Sequence, residues 1–359
     1  MSQNKNKRAV PKPISQEKNE TLFFARALEQ FLERLSPRSR VIITERFGVF
    51  GDKMKTLEEI GRSHNITRER VRQVIGNTIK LLSREKEHPL FVEIATLIQT
   101  TLEGKSGIIR VDEFLDKLAP AGGQERGALL VFVKCLSIVS EGKETKGRDK
   151  IYTLESFSLA EWEKIKEAVR EIFLAVGQTL DQDELFVRFA EKNTSVSRQK
   201  LFDFLSVAKD VRRNVFGKWG LVDWSDINPR GTREKVHLIL KTKMKPLHFR
   251  EIAALIDKHG LHGGKKNRSH PQTVHNELIK DKRFVLVGRG VYALSEWGYK
   301  RGTVREVLED IFTRMKKPLS RKEALAEVLK VRQVKRSTII INLNTFFERV
   351  GKDVYTIKK

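Results

Sequence analysis

The sequence predicts a mainly α protein in which a helix-turn-helix precedes four segments that each close on a short β-hairpin. Three observations carry this. Residues 56–82 hold two N-cap signals, Thr56 and Thr67, each followed by apolar residues at helical spacing. Four later stretches repeat an apolar pair, a Gly–basic turn and a short strand: KGRDKIYTL, VFGKWGLVDW, VLVGRGVYAL and ERVGKDVYTI. The chain is also strongly basic, with 70 Lys and Arg against 46 Asp and Glu, a formal charge of +24. That balance favours a polyanionic partner, nucleic acid ahead of an anionic membrane.

The composition excludes several classes. A length of 359 residues gives room for two or three ordinary domains. The one cysteine, Cys135, sits in the apolar run ALLVFVKCLSIV and reads as a core residue. A disulfide framework and a Cys-based zinc site are thereby ruled out. The N-terminus, MSQNKNKRAVPKP, lacks the apolar stretch of a signal peptide, and every apolar run falls short of the ~20 residues of a membrane span. A cytoplasmic, nucleoid-associated protein with no membrane partner is expected. No Walker loop, G-x-S-x-G or H-E-x-x-H is present, so no enzyme activity, cofactor or small-molecule ligand is expected.

In chain order, residues 1–17 are polar and basic and are expected to form a disordered arm. Leu22, Phe23, Ala25, Leu28, Phe31, Leu32 and Leu35 then mark a helix. Ser36 and Pro37 are a cap and first-turn pair for a second helix ending at Gly48. Thr56 with Glu59 forms a capping box for a third helix, and Leu57 and Ile60 face its core. Thr67 caps a fourth helix whose stripe is Val71, Val74, Ile75, Ile79 and Leu82. Arg68, Glu69, Arg72 and Gln73 are left off the stripe. Arg, Glu and Gln near a capped N-terminus suit a major groove, where Arg reads guanine, Gln reads adenine and Glu accepts from cytosine.

These residues carry a resemblance. LSPRSRVIITERFGVFGDKMKTLEEIGRSHNITRERVRQV resembles region 4 of the bacterial primary sigma factors over about 55 residues. The resemblance implies a module that reads a −35 promoter element and touches RNA polymerase. It would put Arg68, Glu69 and Gln73 on bases, with Arg70 and Arg72 beside the backbone or supporting the helix, and would count Thr67 with these five as DNA-binding. The chain departs from the family after Gln73: Val74-Ile75-Gly76-Asn77 replaces the usual I-E-x-x, and Gly76 weakens the helix by ~1 kcal/mol relative to Ala. No stretch resembles the promoter-melting region 2 of that family.

The remaining chain reads as an internal repeat of ~60–75 residues. The expected domains are 18–87, 88–156, 157–229, 230–298 and 301–359. Each of the last four is expected to be a winged helix, three helices followed by a two-stranded wing. In the third, helices are expected at 233–241, 247–258 and 273–280; in the fourth, at 304–315, 320–330 and 337–347. Lys245-Pro246-Leu247 and Lys317-Pro318-Leu319 hold the same place before the second helix. The third unit, with K-P-L-H-F-R-E-I and F-x-L-V-G-R-G-V-Y-A-L, is similar to the HARE-HTH module. That resemblance implies the winged-helix fold and a relation to the RNA polymerase delta subunit and to modules of DNA-modifying proteins, which bind DNA or protein.

Outside the helix-turn-helix, Lys265, Lys266, Arg268, Arg289, Lys335 and Arg336 are candidate phosphate contacts. His259, His262, His270 and His275 cluster in sequence but lack metal-ligand spacing, so no metal site is expected. The expected function is sequence-specific binding of promoter-like double-stranded DNA together with bacterial RNA polymerase. The alternatives are a delta-like polymerase subunit whose winged helices bind protein, and the targeting subunit of a DNA-modifying system.

Overall fold

The structure, a computed structural model, describes residues 22–49, 53–261, 268–299, 302–332 and 334–358. The expected arm at 1–17 lies outside them. The chain is mainly helical, with sixteen α-helices among the described residues. It divides into two compact units, one of residues up to Glu171 with Arg188–Asp210, the other of Ile172–Val187 with Val211–Lys359.

The first unit opens with α1 (Phe23–Leu32) and α2 (Pro37–Phe47). Phe24, Leu28, Phe31 and Leu32 recur on the buried side of α1. Ser36 caps α2 by accepting from the Ser39 N–H, and Gly48 stops it in the left-handed conformation at φ 69°. Next come α3 (Leu57–Ser63) and α4 (Arg68–Leu82). The expected capping box of Thr56 and Glu59 is present on α3, and Thr67 caps α4 through the Arg70 N–H.

The chain continues through α5 (Pro89–Glu103), β1 (Ile108–Arg110), α6 (Val111–Leu118), α7 (Gly123–Cys135), β2 (Val139–Gly142) and β3 (Ile151–Leu154). The three strands form one antiparallel sheet in the order β1-β3-β2. The helix α7 is buried on nearly every side, through Gly127, Ala128, Leu129, Val131, Phe132, Val133 and Cys135. A helix apolar all round must be enclosed, and α1, α2, α4 and α5 all pack on it. Phe31 of α1, Phe91 of α5 and Phe132 of α7 form an edge-to-face triangle with centroids 5.7–6.1 Å apart. The expected boundary between residues 87 and 88 therefore falls inside one continuous hydrophobic core, which runs from Phe24 to Tyr152.

After that core come α8 (Leu159–Val176), α9 (Gln182–Ala190) and α10 (Arg198–Ser206), of which α8 and α9 each divide between the units. Within the first unit, Trp162 donates from its indole to the Phe204 carbonyl at 2.9 Å. The Ser106 hydroxyl donates to the buried Asp203 carboxylate at 2.8 Å.

The second unit holds β4 (Val211–Arg213) and β5 (Trp219–Leu221), then α11 (Thr232–Lys243), β6 (Leu247–His248), α12 (Phe249–Lys258), α13 (Pro271–Lys280), β7 (Phe284–Gly288) and β8 (Val291–Leu294). It ends with α14 (Val304–Met315), β9 (Leu319–Ser320), α15 (Arg321–Val331), α16 (Arg336–Phe346), β10 (Phe347–Gly351) and β11 (Val354–Ile357). The expected second helices at 247–258 and 320–330 begin later than the sequence pattern suggested. Their first residues instead form the short strands β6 and β9, which pair with β8 and β11.

One strand register recurs along the chain. Tyr152 lies opposite Ile109, Tyr292 opposite Leu247 and Tyr355 opposite Leu319, all six buried. Between Tyr152 and Tyr292 in the chain, an isolated bridge joins Leu180 to Trp219, both buried. One aromatic on the last strand thus seals each small core against the residue that leads into the second helix. The β7–β8 and β10–β11 hairpins also break register alike, at Leu286/Gly288 and at Arg349/Gly351.

Candidate nucleic-acid interface

The strongest candidate site is the outer edge of α4. Ile42, Ile60 and Val71 form a small buried cluster beneath it, with Leu57, Ile66, Val74 and Ile75 packed around. The turn from α3 to α4 is tight because Gly61 has no side chain: a Cβ there would sit 2.7 Å from the Ile66 carbonyl oxygen. Asn65 takes the left-handed conformation at φ 49°, which Asn tolerates better than most residues. A three-way cluster braces α2 against this pair. The Glu45 carboxylate receives Lys55 Nζ at 2.7 Å and lies 3.0 Å from His64 Nε2, and Arg46 donates to the Lys55 carbonyl at 2.8 Å. Burial works against ionised Glu45, but hydrogen bonds and attraction from Lys55 and His64 outweigh it and hold the carboxyl below its ordinary range.

On this base Thr67, Arg68, Glu69, Arg70, Arg72 and Gln73 are all exposed. The structure places these six at the N-cap and first two turns of α4, with Arg68, Glu69, Arg72 and Gln73 off the apolar stripe. They are not independent. Arg72 grips Glu69 with both arms, Nε to Oε2 at 2.8 Å and Nη2 to Oε1 at 2.6 Å. Gln73 reaches Glu69 Oε1 at 3.5 Å, and Arg70 Nη1 donates to Gln73 Oε1 at 3.3 Å. The Arg72 guanidinium accordingly holds the Glu69 carboxyl low. Arg68 makes no hydrogen bond or ion pair with another described residue. The edge thus presents the Arg68 guanidinium, which attracts Glu69 but hydrogen-bonds to no described side chain, beside a preassembled row of donors and acceptors.

The site also depends on two residues of α7 that the sequence reading passed over. Glu125 accepts from the backbone N–H of Phe24 at 2.6 Å and of Ala25 at 2.9 Å, capping α1 from 100 residues away. Gly127 lets α7 press against the end of α2, where a Cβ would lie 2.2 Å from the Phe47 carbonyl oxygen. Neither residue carries a local signal, since an isolated Glu or Gly in a helix has no cap or turn pattern around it.

The remaining candidates are scattered in the second unit. Arg268 is exposed beside Arg250 and Asp257, around a cavity of about 280 Å³. Arg289 is exposed at the β7–β8 turn, and Lys335 and Arg336 are exposed at the start of α16. Lys265 and Lys266 lie outside the described residues. Among the described residues no group of three or more His, Cys, Asp or Glu is placed to hold a metal ion, and no helix is long and apolar enough to cross a membrane.

A capped helix-turn-helix with a polar, cationic outer edge has the form of a DNA-binding domain. Residues 31–84 match the family described as Sigma-70, region 4. Over that region the chain is similar to RNA polymerase sigma factors. It is 41% identical over 66 residues to the sigma factor SigA of a Nostoc species, 18% of this chain and 17% of that protein. It is 46% identical over 56 residues to RpoD of Helicobacter pylori, 15% of this chain and 8% of that protein. The principal sigma factor HrdD of Streptomyces coelicolor is 41% identical over 54 residues, 15% of this chain and 16% of that protein. The chain thus spans less than a fifth of the length of these relatives.

Proposed function

We propose that this chain binds a −35-like promoter element through α4 and acts with bacterial RNA polymerase in transcription initiation or its regulation. Arg68, Glu69 and Gln73 face the base edges, while Thr67, Arg70 and Arg72 position the helix on the backbone. The observation that carries this reading is the exposed row of Arg68, Glu69, Arg72 and Gln73 on a helix capped by Thr67. The sigma-factor likeness over residues 31–84 supports the kind of partner. The four later segments are read as winged-helix modules, the third of HARE-HTH type. The order of helix, short strand, two helices and hairpin in three of them, with the isolated Leu180–Trp219 bridge in place of the short strand in the second, supports this.

Selection of bound duplexes from a random pool, run at two salt concentrations, tests the proposal. A sharp motif is expected, and Arg68→Ala or Gln73→Ala should cost ~1–3 kcal/mol and relax preference at one position. Binding of random and selected duplexes alike by wild type and variants would refute base reading by α4.

A second reading makes the later modules protein-binding parts of polymerase, as in a delta-like subunit. It draws on α7, the third helix of its segment, whose apolar and Glu125 side chains are buried and so unavailable to a groove. Co-purification with polymerase that survives nuclease treatment favours it.

A further inference from the structure

We propose that α16 is a second DNA-reading helix in this chain, separate from α4. This extends the reading of the chain as a DNA binder and rests on it. Ile339 and Leu343 are buried and fix the inner side of α16. The opposite side exposes Ser337, Thr338, Ile341, Asn344 and Thr345. Ile341 is 62% exposed, although its neighbours on that face are all polar. An aliphatic group among hydroxyl and amide groups is what a major-groove face uses to meet a thymine methyl beside hydrogen-bonding base edges.

Charge selects the partner. No acidic residue occurs in α16, and Lys335 and Arg336 at its start are exposed with no ion-pair partner among the described residues. Lys352, at the tip of the adjoining β10–β11 turn, is likewise exposed and unpaired. A polar face that starts at two cations without ion-pair partners, with a third cation on the hairpin that follows, complements a phosphate backbone. Asn344 is already oriented: its Oδ1 accepts from the Tyr355 hydroxyl at 2.7 Å, which leaves its amide N–H₂ group to donate. Its counterparts differ. The buried side chains of α7, for example, are closed to a groove.

The test uses the full chain, the duplex selected by wild type, and two double variants. For Lys335→Ala with Arg336→Ala, the slope of log K against log salt should fall by about 1.8, the loss of two phosphate contacts. Hydroxyl-radical footprinting should show a protected segment that this variant loses while a second segment persists. Arg68→Ala with Gln73→Ala should do the reverse. An unchanged slope and footprint for the α16 variant, with α4-dependent base preference intact, overturns the α16 inference and leaves the α4 reading standing. Base preference lost by the α16 variant and kept by the α4 variant supports α16 and refutes α4. If the α16 variant loses polymerase in pull-down while its DNA binding is unchanged, α16 faces protein and the inference fails. Circular dichroism of both variants must match wild type, and Ile341→Glu, at an exposed position, should weaken binding in the same way.

Discussion

Replacing Glu125 by Ala strips the buried N–H groups of Phe24 and Ala25 of the acceptor that caps α1. The side chain is 2% exposed, so water does not take over freely. Each buried N–H left without a partner costs roughly 1–3 kcal/mol. Part of that is offset, because the burial of Glu125 is itself unfavourable and pushes its carboxyl above the ordinary range despite the two N–H donors. The net loss for Glu125→Ala should be about 2–4 kcal/mol. Glu125→Gln keeps one acceptor oxygen but turns an amide N–H₂ towards the other donor, so about 1–2 kcal/mol is expected. The assay is built into the same helix. Cys135, the one cysteine, is buried on α7 and its thiol is pushed up to about 12 by burial. It should resist alkylation at pH 8 until the core around α7 opens. Urea unfolding followed by circular dichroism, with iodoacetamide labelling in parallel, should show Glu125→Ala opening at lower urea and labelling faster in buffer. A shift below about 0.5 kcal/mol with unchanged labelling would refute the capping argument.

Other perturbations follow from the same geometry. Gly76 lies exposed in α4 with open space around a would-be Cβ, so Gly76→Ala should stabilise the protein by about 1 kcal/mol without altering DNA preference, as read by urea midpoint and duplex selection. Gly127→Ala should do the opposite, by about 2 kcal/mol or more, since its Cβ would meet the Phe47 carbonyl at 2.2 Å; a neutral result would mean that α7 and α2 can separate freely. Lys55 and His64 hold the Glu45 carboxyl below its ordinary 4.5, so its stabilisation is present above pH 4.5 and is lost as pH falls through the folded value. Glu45→Gln should therefore flatten the loss of stability in acid, measured as urea midpoint against pH.

Much of the candidate interface was legible because its determinants are local. Thr56 with Glu59, Ser36 with Pro37, and Thr67 declare helix starts within four residues of themselves, and each forms the cap that its pattern implies. The exposure of Arg68, Glu69, Arg72 and Gln73 followed from the stripe that contains Val71, because helical period alone separates the two faces. Three things were not legible. The strands β6 and β9 are two residues long, too short for alternation to register, and exist because Tyr292 and Tyr355 wait opposite them. The mutual grip of Glu69 and Arg72 depends on rotamers rather than spacing. The shared core across residue 88 depends on contacts a hundred residues apart.

The sequence by itself determined the helix-turn-helix and its caps, the exposed polar edge of α4, and the basic charge, since each arises from residues within a few positions of one another or from composition alone. Only the tertiary structure decided that α7 serves as a buried post rather than an exposed helix. It alone showed Glu125 capping α1 and Gly127 admitting α2. The physical reason is that burial of an apolar helix specifies that something must cover it, but not what. The covering elements were chosen by shape and by a backbone N–H pair that needed an acceptor, both visible only once the chain is folded.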